Sequence, residues 1–120
     1  MNNNDSIRKI YDVSLLYDFY GELLTEHQQK IFEAANFEDL SLSEIGESEG
    51  ISRQGVHDLL KRCNKILTDY EDKLHLVERF KETKEEVKEI ERIADSLEKN
   101  YDKVKIDKIK AISKKILEEL

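Results

Sequence analysis

No proline interrupts this 120-residue chain, and glycine occurs only four times, at Gly21, Gly46, Gly50 and Gly55. Proline fixes φ and removes a backbone donor, so its absence removes the commonest obligatory helix break and permits long helices. A single cysteine, Cys63, excludes an internal disulfide and fits a reducing compartment. No apolar run approaches the roughly 20 residues that span a bilayer. The opening MNNNDSIRK also lacks the apolar middle of a secretory signal. The expectation is a cytoplasmic protein without membrane insertion.

Chemistry-bearing patterns are scarce too. There is no glycine-rich phosphate loop, and His27, His57 and His75 have no CxxC or HExxH companions. Cys63 falls on an apolar helical face, where a packing role is expected, and no histidine is arranged to activate it. The pairs Glu85–Glu86 and Glu118–Glu119 belong to solvated helical faces. Neither an enzyme nor a cofactor or metal site is expected.

What the chain has in quantity is charge. Charged residues make up 39% and apolar residues 38%, with 27 acidic against 20 basic side chains and a net charge of −7. That balance suits exposed helices sharing one core stripe. From Asp5 to Leu24, Ile7, Tyr11, Leu15, Leu16, Phe19, Tyr20 and Leu23 recur at three- and four-residue steps, predicting one helical face that closes near Gly21. TEHQ, from Thr25, and SLSE, from Ser41, each place a hydroxyl three residues before a Gln or Glu, the pattern that closes a helix N-terminus reciprocally. Ser52 is placed to cap a further helix bearing Val56, Leu59, Leu60, Cys63, Ile66 and Leu67.

Beyond Tyr70 the character changes. Val87, Ile90, Ala94, Leu97, Tyr101 and Val104 step by alternating threes and fours, an apolar seam of period 3.5 that a partner helix must cover. A last stripe carries Ile106, Ile109, Ile112, Ile116 and Leu120. The predicted architecture is all-α, with a helical domain over 1–70. Residues 71–120 are expected to form a long, coiled-coil-like oligomerisation region, extended or folded back as a hairpin. A homodimer is the expected assembly.

The segment SLSEIGESEGISRQGVHDLLKR has the spacing of a helix-turn-helix. A small residue is needed where the two axes cross, a residue tolerant of positive φ four positions later, and a β-branched anchor six further on. Gly46, Gly50 and Val56 meet that spacing. With Val56, Leu59 and Leu60 turned inward, Arg53, Gln54, His57, Asp58, Lys61 and Arg62 are left outward. Arg53, Gln54 and His57 are candidates for base edges, and Lys61, Arg62 and Lys65 for phosphates of double-stranded DNA. Over Ser52–Leu67 only Asp58 opposes four basic residues. Against this stand Asp58 itself, the helix-weakening Gly55, and 13 acidic against seven basic residues over 1–70, which removes much of the counterion-release gain. The residues leave DNA reading and protein contact both open.

From Leu24 to Leu67 the sequence resembles region four of bacterial sigma factors, through Leu24-Thr25, Gln29, the Ser-Leu-Ser-Glu-Ile run and the Gly-Ile-Ser turn. It is more closely similar to the YlxM family, through LLYDFYGELLTEHQQ, SRQGVHDLLKR and YEDKLHL, over Leu15 to about Phe80. It departs from that family's usual pattern at Gly46, Gly55 and His57. The resemblance implies a helix-turn-helix regulator connected with the signal recognition particle pathway. Components of that particle, or its targeting GTPase and receptor, are then the implied protein partners.

Overall fold

The computed structural model describes residues 12–120, so the expected helical positions Ile7 and Tyr11 lie outside the described residues. The protein is all-α. Among the described residues there are six α-helices and one 3-10 turn: α1 (Val13–Tyr20), the turn Gly21–Leu23, α2 (Glu26–Asn36), α3 (Leu42–Glu49), α4 (Arg53–Leu74), α5 (Leu76–Leu97) and α6 (Lys103–Glu119). They form two compact units, the first ending at Val77 and the second running from Glu78 to Leu120. The division lies past the compositional change near residue 70 because α4 continues unbroken to Leu74.

In the first unit the helix starts follow from local chemistry. Asp12 caps α1 by accepting from the Ser14 and Leu15 amides. Thr25–Gln28 and Ser41–Glu44 both form complete capping boxes, in which the hydroxyl accepts from the third residue's amide and that residue's side chain accepts from the cap's own N–H. The bond from the Ser41 amide draws the Glu44 carboxyl below its ordinary value. Gln29 donates from Nε2 to the carbonyl oxygens of Gly21 and Leu24, at 2.8 and 3.3 Å, and so ties the 3-10 turn to α2.

Two apolar clusters share α4. The first joins Leu16, Tyr20, Leu24, Phe32, Cys63, Leu67 and Val77, and the second joins Ile31, Ile45 and Val56. Leu59 and Leu60 touch both. Tyr17 stacks on Phe32 with ring centroids 4.9 Å apart, and its hydroxyl donates to Glu33. Cys63 is fully buried, and burial raises its thiol pKa.

One buried polar residue organises the end of α4. Glu71 is 1% exposed. Its Oε1 accepts from the Tyr20 hydroxyl at 2.7 Å and from the Val77 amide at 2.9 Å. The same hydroxyl accepts from the Leu76 amide at 3.1 Å. His75, at φ 56°, closes α4 in the left-handed region, its amide bonding back to the Glu71 carbonyl at 2.8 Å. Burial and the bond to Glu71 push the Tyr20 phenol up to about 12, and burial and Glu33 do the same for Tyr17.

The second unit is an antiparallel pair. Glu86 meets Lys115 at 3.2 Å and Glu89 meets Lys108 at 3.5 Å, so rising numbers on α5 face falling numbers on α6. The expected seam from Val87 to Val104 is therefore not one helix. Val87, Ile90, Ala94 and Leu97 lie on α5, Tyr101 lies in the connection, and Val104 lies in the first turn of α6. The break is set by Asp102, which is extended and caps α6 by accepting from the Val104 amide at 2.9 Å.

Candidate nucleic-acid interface

Helices α3 and α4 and the residues between them form the helix-turn-helix. Gly50 closes α3 in the left-handed region at φ 72°, and its amide bonds back to the Gly46 carbonyl. The Ile51 amide reaches the same carbonyl at 3.0 Å, a Schellman-type closure. Gly46 is buried, and a Cβ there would stand 2.7 Å from the Ile51 carbonyl oxygen. The turn folds back this tightly because position 46 has no side chain. Ser52 then caps α4 by accepting from the Gly55 amide at 2.9 Å. Val56, fully buried against Ile31 and Ile45, sets the rotation of α4 about its axis.

That rotation determines the outward face. Arg53, Gln54, His57, Lys61, Arg62 and Lys65 are all exposed. At about 100° per residue, Arg53, His57 and Lys61 lie on adjacent lines along one side of α4, and Lys65 continues past Lys61. Asn64, also exposed, falls beside Arg53 and His57. It was not among the expected site residues, although its spacing of three beyond Lys61 is the signal that finds it. Arg62 sits on the opposite flank of this face. There it lines a shallow groove with Thr25, His27, Gln28, Gly55, Asp58 and Leu59.

The side chains on this face are not equally available. Gln54 donates from Nε2 to Asp58 Oδ1 at 2.9 Å, and His57 Nδ1 lies 3.5 Å from the same oxygen. Lys65 pairs with Asp69 at 3.1 Å. Arg53, Lys61 and Arg62 have no ion-pair partner among the described residues. Three guanidinium or ammonium groups are thus presented outright, whereas Gln54 and Lys65 are held by acids one helical turn away. The preceding helix, α3, carries Glu44 and Glu47, both exposed.

The histidines do not converge. His27 lies 3.9 Å from Glu49, His57 neighbours Asp58, and no group of His, Cys, Asp and Glu among the described residues is arranged to hold a metal ion. No helix among the described residues is long and apolar enough to cross a membrane.

Comparison with known proteins matches residues 7–117 to the family UPF0122, described as "Putative helix-turn-helix protein, YlxM / p13 like". A UPF0122 protein of Desulforamulus reducens is 43% identical over 112 residues, covering 93% of this chain and 96% of the relative. A UPF0122 protein of Clostridium kluyveri is 46% identical over 98 residues, covering 82% of this chain and 88% of its own. One from Clostridium acetobutylicum is 40% identical over 109 residues, covering 90% and 93%.

Proposed function

Because the chain belongs to the UPF0122 family of YlxM- and p13-like helix-turn-helix proteins, we propose that it is a regulator that binds double-stranded DNA through the outward face of α4. The reading includes a role in the signal recognition particle pathway and action as a cytoplasmic homodimer. The observation that carries the DNA reading is the exposure of Arg53, His57 and Lys61 along one side of a helix whose rotation Val56 fixes. Helices of this kind enter the major groove by their N-terminal end. Arg53, in the first turn, is placed for the acceptor edge of guanine, and Lys61 and Arg62, two turns on, for phosphates. The pathway assignment rests on the resemblance to the YlxM family.

The test is selection from a random duplex pool, followed by titration of the selected site against salt. Arg53→Ala is expected to relax sequence preference, while Lys61→Ala weakens all duplexes alike and lowers the salt slope by about one. Absence of sequence-selective binding even at low salt would refute the proposal.

A second reading is supported by the occupied donors. With Gln54 and Lys65 already bonded to Asp58 and Asp69, the face also suits a protein surface that supplies its own acids and amides. On this reading the protein modulates the targeting GTPase or its receptor by direct contact. Co-purification with the signal recognition particle, abolished by Lys61→Glu, would favour it over the first.

A further inference from the structure

Helix α5 carries two adjoining apolar stripes, and its own hairpin leaves the second only partly covered. The ion pairs Glu86–Lys115 and Glu89–Lys108 mark the side turned to α6, and Ile93, buried to 8%, lies on that side. About 100° round the helix runs a second line: Thr83, Val87, Ile90, Ala94 and Leu97, spaced four, three, four and three. This is a heptad seam. Val87 on it remains 44% exposed and Ala94 is exposed as well, while Thr83, Ile90 and Leu97 are half-buried.

The charges beside this line restrict what can cover it. Lys84 follows Thr83, and Glu91 follows Ile90. Both are exposed, and neither has an ion-pair partner among the described residues. The acids and bases around them, Glu85 with Lys88 and Glu89 with Arg92, are paired within α5.

We propose that the stripe is covered by the same stripe of a second copy running antiparallel to it. In a parallel pair, the residue following one seam position meets the residue preceding a seam position of the partner. Lys84 would then face Arg79 of the second copy, a repulsive contact made twice, and Glu91 would gain nothing from Glu86, which is already paired with Lys115. In the antiparallel pair the residues following the seam meet one another, so Lys84 faces Glu91 and Glu91 faces Lys84. The seam layers are complementary in size as well. Val87 opposes Ile90, and Thr83 opposes Ala94, each twice by symmetry. Charge therefore selects one orientation. The inference deepens the homodimer of the proposed function, but it depends only on α5 and not on any contact with DNA.

Sedimentation of the full chain without DNA tests it, so failure here leaves the DNA reading untouched and the converse also holds. The wild-type chain is expected to show concentration-dependent dimerisation. Lys84→Glu should weaken it about tenfold, as two exposed ion pairs become repulsive, and Lys84→Glu with Glu91→Lys should restore it. Val87→Lys should give a monomer with unchanged helicity by circular dichroism, because that side chain is nearly half exposed. A monomer at every concentration up to about 1 mM, or Lys84→Glu that leaves the dimer unchanged or tightens it, would overturn the proposal.

Discussion

Replacing Asp58 by asparagine tests the DNA reading at its weakest point. Asp58 is the one acid within the first four turns of α4, its side chain is 64% exposed, and it holds Gln54 at 2.9 Å. The substitution keeps an oxygen for that bond and removes the charge. A carboxylate on a helix seated in the major groove stands ~7 Å from the nearer phosphates, where each repulsion amounts to ~0.6 kcal/mol in water. Two phosphates, reduced by screening to about two-fifths at a Debye length of ~8 Å, leave about 0.5 kcal/mol in all. Asp58→Asn is therefore expected to tighten duplex binding about twofold near physiological salt and about threefold at low salt, where screening is weaker. Fluorescence anisotropy of a labelled duplex, from ~50 to ~200 mM salt, is the assay. Unchanged or weakened binding would show that α4 does not lie against phosphate in the assumed way. A variant that binds better only to its selected site would instead place Asp58 at a base edge.

Other consequences concern the scaffold. Tyr20→Phe removes one donor to the buried Glu71 carboxylate and the acceptor for the Leu76 amide. It should cost about 2 kcal/mol in urea denaturation; a loss below ~0.5 kcal/mol would mean the carboxylate is satisfied without it. Tyr17 and Tyr20, both near 12 when folded and about 10 when unfolded, hold their protons more tightly in the native state. The stability they confer is intact below pH ~10 and declines as pH rises through ~12, so tyrosinate absorbance should show two of the five tyrosines ionising late, together with unfolding. Gly46→Val should destabilise the first unit by more than 2 kcal/mol, since even a Cβ meets the Ile51 carbonyl at 2.7 Å. Gly50→Ala, with open space around it but φ at 72°, should cost only about 1 kcal/mol.

The features legible in the sequence were the local ones. A hydroxyl and a carboxamide or carboxylate three residues apart make the same reciprocal bonds wherever they begin a helix, which is why Thr25–Gln28 and Ser41–Glu44 can be read directly. The inward set Val56, Leu59 and Leu60 follows from helical period, and the outward set follows from it by exclusion. Chain reversal is less visible. Tyr101 and Val104 keep the 3.5-residue spacing across a connection that contains neither proline nor glycine, so periodicity alone runs through the end of α5. Only the capping role of Asp102 marks the break, and an aspartate in so charged a segment carries little information by itself. Glu71 illustrates the same limit. It stands four residues after the buried Leu67 on the inner stripe of α4, but its acceptors are satisfied by Tyr20 and Val77, which are distant or beyond the helix end. On the candidate interface, the Gln54–Asp58 bond is an ordinary four-residue helical pair, and it changes the meaning of both side chains: a base-reading donor and an objection to binding become one closed contact.

The sole thiol lies fully buried among Leu16, Tyr20, Phe32 and Leu67. A disulfide reagent can reach Cys63 only when this cluster opens, so the labelling rate under native conditions equals the opening equilibrium multiplied by the reactivity of an exposed thiol. No cysteine lies beyond Val77. The chain thus contains a chemical clock that times the breathing of its helix-turn-helix unit and is silent to fraying of the α5–α6 hairpin. With it, the opening equilibrium of the helix-turn-helix unit can be read in the intact protein without interference from the hairpin.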